Sequence, residues 1–150
     1  MSEKALATRL NEAVALEHTL AMHCFLYETT VTGLWRVSLA PLFKSLGNEA
    51  REHAKLFGQK VVALGELPAC AVGPVAPAQT ADEMVQMVLT LEHRAISLYA
   101  TALEAVDEGD VAMRNMLEDH IDSEQRHIDE ITLLATGNER SAQSAVRAAS

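Results

Sequence analysis

The sequence predicts an all-α protein, an antiparallel four-helix bundle with one long crossover between its second and third helices. Three observations predict it. Apolar residues recur at helical spacing in four stretches of about 25 residues each. A proline-rich interval divides those stretches into two pairs, and a glycine separates the members of each pair. Hydrophobic residues make up 49% of the 150 but aromatic ones only 4%, a balance suited to packed helices and not to sheets of aromatic and β-branched strands.

The first helix is read from about Glu3 to Thr32, with Leu10, Ala13, Val14, Leu20, Ala21 and Cys24 on one stripe and Gly33 as its stop. The second opens near Ser38, an N-cap residue with Pro41 in the first turn, and closes at Gly65 ahead of Pro68. Residues 66–79 hold three prolines and a glycine and cannot be helical. Thr80-Ala-Asp-Glu83 is a capping box that starts the third helix, which ends around Asp107-Glu108-Gly109. The fourth runs from about Asp110 to Thr136 and is expected to stop at Gly137. The bundle is therefore assigned to residues 1–137, and 138–150 to a flexible C-terminal tail. Helices of this length reach about 38 Å. The middle connection can extend about 46 Å, enough to cross the bundle, whereas the other two links are short and make hairpins.

Each half of the chain echoes the other. Leu16-Glu-His matches Leu91-Glu-His93, and Arg51-Glu-His53 matches Gln125-Arg-His127. Such a repeat places Glu17 opposite Glu92 and His53 opposite His127. Glu124-Gln-Arg-His127 puts a carboxylate one turn below a histidine on one helix face. Glu17 and Glu92 fall on the apolar stripes, where an unpaired carboxylate is costly to bury, so metal ligation outweighs a structural salt bridge. A lone Glu from two helices with a Glu-x-x-His from two others is the donor pattern of di-iron and di-manganese bundles. Tyr99, two turns beyond Glu92, and His120, two turns before His127, stand where they could support ligands from a second layer, against a plain core role for each. His18 and His93 point about 100° away from their neighbouring carboxylates and read as surface or helix-interface residues. Cys24 reads as a small buried hydrophobe.

Taken together, Leu10-Asn-Glu-Ala-Val-Ala-Leu-Glu17, His53-Ala-Lys, Leu64-Gly-Glu-Leu-Pro68, Leu89-Thr-Leu-Glu92 and Glu124-Gln-Arg-His127-Ile-Asp resemble a bacterioferritin-type member of the ferritin-like di-iron carboxylate superfamily over about residues 5–136. The resemblance implies a ferritin-like bundle with Glu17, His53, Glu92, Glu124 and His127 as metal ligands. Two positions depart from the family pattern. Ala50 stands where a bridging carboxylate is expected; its neighbours Glu49 and Glu52 are rotated by about 100°, and Glu49 reaches the site only if a π-bulge or a slight rotation turns it in. The Ala50 gap is expected to weaken the metal beside Glu17 and His53. Arg51 replaces the methionine that ligates haem, so haem is not expected.

The function these readings favour is binding of two Fe ions per chain, with Mn as the alternative metal, and oxidation of Fe(II) by dioxygen or peroxide: a ferroxidase serving iron storage or detoxification. A rubrerythrin-like peroxidase or small di-iron oxidase acting as a dimer is the second reading; without CxxC pairs it would take electrons from a partner. A non-enzymatic helical scaffold with a degenerate metal site is the third. The expected partners are metal ions, the oxidant and further copies of the chain, as a dimer or a cage. A formal net charge of −9 argues against nucleic acid and anionic membranes, which need a basic face. Apolar runs shorter than a membrane span, a polar Met-Ser-Glu-Lys start and two isolated cysteines point to the cytoplasm.

Overall fold

The computed structural model describes residues 3–148, and along 136–146 the backbone alone. Four helices make up the fold: α1 (Glu3–Thr30), α2 (Arg36–Ala63), α3 (Ala81–Ala105) and α4 (Val111–Ala148). Helix α1 packs against α2, α3 against α4, and α1 against α3. Among the described residues no helix is long and apolar enough to cross a membrane.

Local chemistry sets the helix ends, in two places otherwise than expected. Gly33, with φ +70°, reverses the chain after α1. The Arg36 guanidinium then donates to the carbonyls of Val31 (2.8 Å) and Glu28 (3.2 Å), satisfying acceptors that the end of α1 leaves free. This lets α2 begin at Arg36 behind a helical Trp35 that makes no side-chain cap. Ser38, expected as the N-cap, lies inside the first turn with its hydroxyl 3.3 Å from the Trp35 carbonyl. The second difference is α4, which continues through Gly137 to Ala148 instead of stopping there. A glycine inside a helix costs only about 1 kcal/mol relative to alanine, so without a left-handed cap it does not end one. Gly65 shows the contrast: at φ +82° it closes α2 in a Schellman turn, Gly65 N–H to Val62 O and Glu66 N–H to Val61 O. The Thr80 capping box forms as read, with Glu83 N–H donating to Thr80 Oγ1 and Thr80 N–H to Glu83 Oε2. Asp110 caps α4 by accepting from Met113 N–H at 3.0 Å.

The apolar stripes meet in one core that includes Leu10, Leu20, Tyr27, Phe43, Phe57, Val88, Leu117 and Ile131. Helices α1 and α2 approach closely at Gly47, where an added Cβ would lie 3.0 Å from Cys24 Cβ.

The crossover has no ladder of its own, and a polar row on α1 supplies its hydrogen bonds. Asn11 accepts from Ala69 N–H (2.7 Å) and donates to Leu67 O (2.9 Å). Thr19 accepts from Gly73 N–H, His23 Nε2 from Ala76 N–H, and Tyr27 donates to Ala76 O. With the crossover laid along α1, the interior between the four helices is left to the polar cluster described next.

Candidate metal centre

Glu17, Glu92 and Glu124 are 0%, 1% and 1% exposed, in the middle of the apolar faces of α1, α3 and α4. The side chains of His53 (α2) and His127 (α4) close the cluster at 12% exposure. Two sets of three donor atoms result, Glu17–His53–Glu124 and Glu92–Glu124–His127, each with all its atoms within 4.8 Å of one another. Glu124 belongs to both. Its Oε1 lies 2.8 Å from His53 Nδ1, and its Oε2 lies 2.9 Å from His127 Nδ1. One carboxylate thus spans two positions, as a bridging ligand must.

Hydrogen bonding inside the cluster is incomplete. Tyr99 Oη donates to Glu17 Oε1 and stands 3.3 Å from Glu124 Oε1. His127 Nδ1–H has one proton to give and aligns with Glu124 Oε2; Glu92 Oε1, 3.5 Å away, is near that nitrogen without being bonded to it. His53 Nδ1 is close to Glu124 Oε1 but outside hydrogen-bonding angles. Glu17 Oε2, His53 Nδ1 and both oxygens of Glu92 therefore lack partners, although they are buried. An orphaned buried acceptor costs about 1–3 kcal/mol, more when charged. Four such atoms on residues of two triads that share Glu124 is the pattern expected of a cation site.

Titration follows the same geometry. Burial raises the Glu92 carboxyl to about 8 and lifts Glu17 well above the ordinary carboxylate range, Glu124's charge adding to the latter. Burial alone would raise Glu124 too, but the hydrogen bond from His127 and the His53 ring beside it outweigh it and hold Glu124 ionised. Burial likewise opposes charge on His127, yet its bond to Glu124 and the Glu92 carboxylate beside it push it up to about 11. These directions favour the charged forms of Glu124 and His127 and the neutral forms of Glu17 and Glu92.

The surrounding residues fall as follows. Ala50, 1% exposed, faces the core where a second bridging carboxylate would stand. Donor count does not distinguish the two triads, since each holds two glutamates and one histidine; the Ala50 gap therefore gives no donor-count reason for the Glu17–His53 side to be weaker. His120 packs edge-on against His53 (centroids 4.6 Å) with its Nδ1 2.6 Å from Met116 O, and burial keeps it below its ordinary 6.5. Glu49 joins neither triad. No π-bulge turns it inward; its Oε2 lies instead 2.8 Å from the outer nitrogen of His127, Nε2. Glu52 and Arg51 are on the exposed side of α2. Sequence reasoning missed His23, whose buried ring serves the crossover; its place on the Asn11–Thr19–Tyr27 face of α1 was the available signal.

A family model described as the ferritin-like domain matches residues 7–139. The search of curated proteins found no match. Among solved structures, the chain is similar to a ferritin-like di-iron carboxylate protein from Bacillus anthracis strain Ames, at 29% identity and TM-score 0.85, covering 89% of this chain and 99% of that one. It is similar to a dodecameric thioferritin, the bacterioferritin-related protein of Bacteroides fragilis, at 18% identity and TM-score 0.88, covering 96% and 92%. A Dps protein from Bacillus brevis follows at 22% identity and TM-score 0.81, covering 89% and 96%. At such identities the last two speak for the fold alone. The family match spans all four helices and every residue of the buried Glu–His cluster: the chain belongs to the ferritin-like domain family.

Proposed function

We propose that the chain binds two Fe(II) ions side by side, one at Glu17–His53–Glu124 and one at Glu92–Glu124–His127, and oxidises them with dioxygen or peroxide. The observation that carries this reading is the set of orphaned buried donor atoms, Glu17 Oε2, His53 Nδ1 and both Glu92 oxygens, on residues of the two triads that share Glu124. Carboxylate oxygens with imidazole nitrogen suit iron, with manganese the alternative, and three donors per ion leave positions for the oxidant. Two Fe(II) ions supply the two electrons that reduce dioxygen to peroxide, or peroxide to water. The protein's part is to hold the ions adjacent through Glu124 and to offset most of their charge with three carboxylates in a water-poor interior. Loading must displace protons from Glu17, Glu92 and His127, so binding releases acid. The Bacillus anthracis neighbour, named as a di-iron carboxylate protein, supports the metal.

The test is anaerobic Fe(II) titration of metal-free protein, followed by admission of air and absorbance in the near ultraviolet. Uptake of two irons per chain and oxidation faster than in a protein-free control are expected. Glu124→Ala should abolish the fast phase, because it removes a donor from both positions. No Fe(II) uptake at neutral pH overturns the reading.

A further inference from the structure

The two triads match in donor type, yet the histidines that complete them are held differently. His127 Nδ1 faces the cluster while Nε2, on the far side of the ring, lies 2.8 Å from Glu49 Oε2. Glu49 is itself held: Ser45, one turn earlier on α2, donates its hydroxyl to the other carboxylate oxygen at 3.2 Å. The contact bridges α2 and α4, so it ties the ring to a helix other than its own. Among the described residues no carboxylate bonds the outer nitrogen of His53; the rings of His120 and Phe57 lie beside it, with centroids 4.6 and 6.5 Å away. A histidine whose outer N–H is bound by a carboxylate is fixed in tautomer and orientation and is a better donor through its inner nitrogen.

From this asymmetry we infer that Glu49 is a positioning residue for His127, and that it makes Glu92–Glu124–His127 the tighter of the two metal positions. The inference rests on the two-metal reading above and adds a rank order to it. The helical rotation that keeps Glu49 out of the cluster is what aims it at the back of the ring. At 43% side-chain exposure Glu49 carries little of the fold, so its removal is readable without unfolding the bundle.

The experiment is anaerobic titration of the full-length, metal-free chain with Co(II), read by the visible bands that report cobalt ligation, alongside thermal unfolding without metal. Wild type should show a tight and a weak site. Glu49→Ala should weaken the tight site about 10- to 100-fold and alter its bands, leaving the weak site and the metal-free melting temperature nearly unchanged. Glu49→Gln keeps an acceptor for Nε2–H and should recover most of the affinity, an outcome that a merely structural role would not produce. His53→Ala should remove the weak site and spare the tight one. If wild type binds two Co(II) and Glu49→Ala changes neither affinity, the positioning role is overturned while the metal centre stands. If His53→Ala removes the tight site, the rank order is reversed. If wild type binds no Co(II) and no Fe(II), the underlying metal reading fails instead.

Discussion

Replacing Glu92 with leucine should make the metal-free protein more stable and the metal-loaded one less so. Glu92 is 1% exposed, and neither of its carboxylate oxygens has a hydrogen-bond partner. Burial raises its pKa to about 8, so the folded protein resists its charge at neutral pH. Leucine has nearly the same volume and leaves nothing unsatisfied. Removing an unsatisfied buried polar group recovers about 1–3 kcal/mol when the packing is kept. In a domain of this size each kcal/mol shifts the melting temperature by about 2–4 °C. Glu124→Ala should act with the opposite sign. Glu124 is the carboxylate held ionised by His127 and His53, so its loss leaves the His127 imidazolium without its main partner, at a cost of about 3–5 kcal/mol. Thermal unfolding by circular dichroism, on chelator-treated protein at pH 7 with and without anaerobic Fe(II), measures both effects. With free metal at a hundred times Kd, one site adds about 2.7 kcal/mol to the wild type. Glu92→Leu should lose most of the contribution of its own site. If it melts lower than wild type without metal, or keeps the full metal-dependent gain, the orphaned-carboxylate argument is refuted.

Two further outcomes follow from the same groups. Glu92 and His127 both have raised pKa values in the fold, so the stability they contribute is full at low pH and is lost as pH rises, across about 4.5–8 for Glu92 and about 6.5–11 for His127. Metal-free protein should therefore melt lower at pH 9 than at pH 6, whereas Fe(II) affinity should climb over that interval as those protons leave; a metal-free melting temperature that rises across it contradicts the assignment. Tyr99→Phe removes the donor to Glu17 and Glu124, adds an unsatisfied buried oxygen, and should cost about 1–3 kcal/mol without metal, a loss that saturating Fe(II) partly restores. Equal losses with and without metal would show that Tyr99 serves packing alone.

The bundle and the five-residue cluster were legible because both depend on local period. Glu17 and Glu92 sit among leucines and valines at spacings of three and four, and that placement alone buries them. The Thr80 box was legible for the same reason, its two partners being three residues apart. What escaped reading depends on contacts that cross the fold. His23 and Tyr27 bond backbone groups 53 and 49 residues away, on a loop whose path no periodicity encodes. The start of α2 turned on Arg36 reaching back to carbonyls of the preceding helix, which pulled the boundary ahead of the better capping residue, Ser38. Glu49 was placed correctly on the wheel, about 100° from the inward face. Its partner could not be read, because the back of the His127 ring becomes its neighbour only once α2 and α4 are packed.

The placement of these groups also separates rigidity from access. Glu17, Glu92 and Glu124 project from the middle of their helices, between core residues such as Val14 and Leu20 on α1 and Val88 and Ala95 on α3, so their backbones are as fixed as the core itself. The two histidines lie nearer the surface, and Glu49 beyond His127 is half-exposed. The carboxylates form the rigid floor of the site. The α2–α4 side, where His53, His120, His127 and Glu49 meet, is where the cluster comes closest to water. Substitutions at the floor should therefore change how much charge the site demands, and substitutions on the α2–α4 side how fast and how tightly that demand is met.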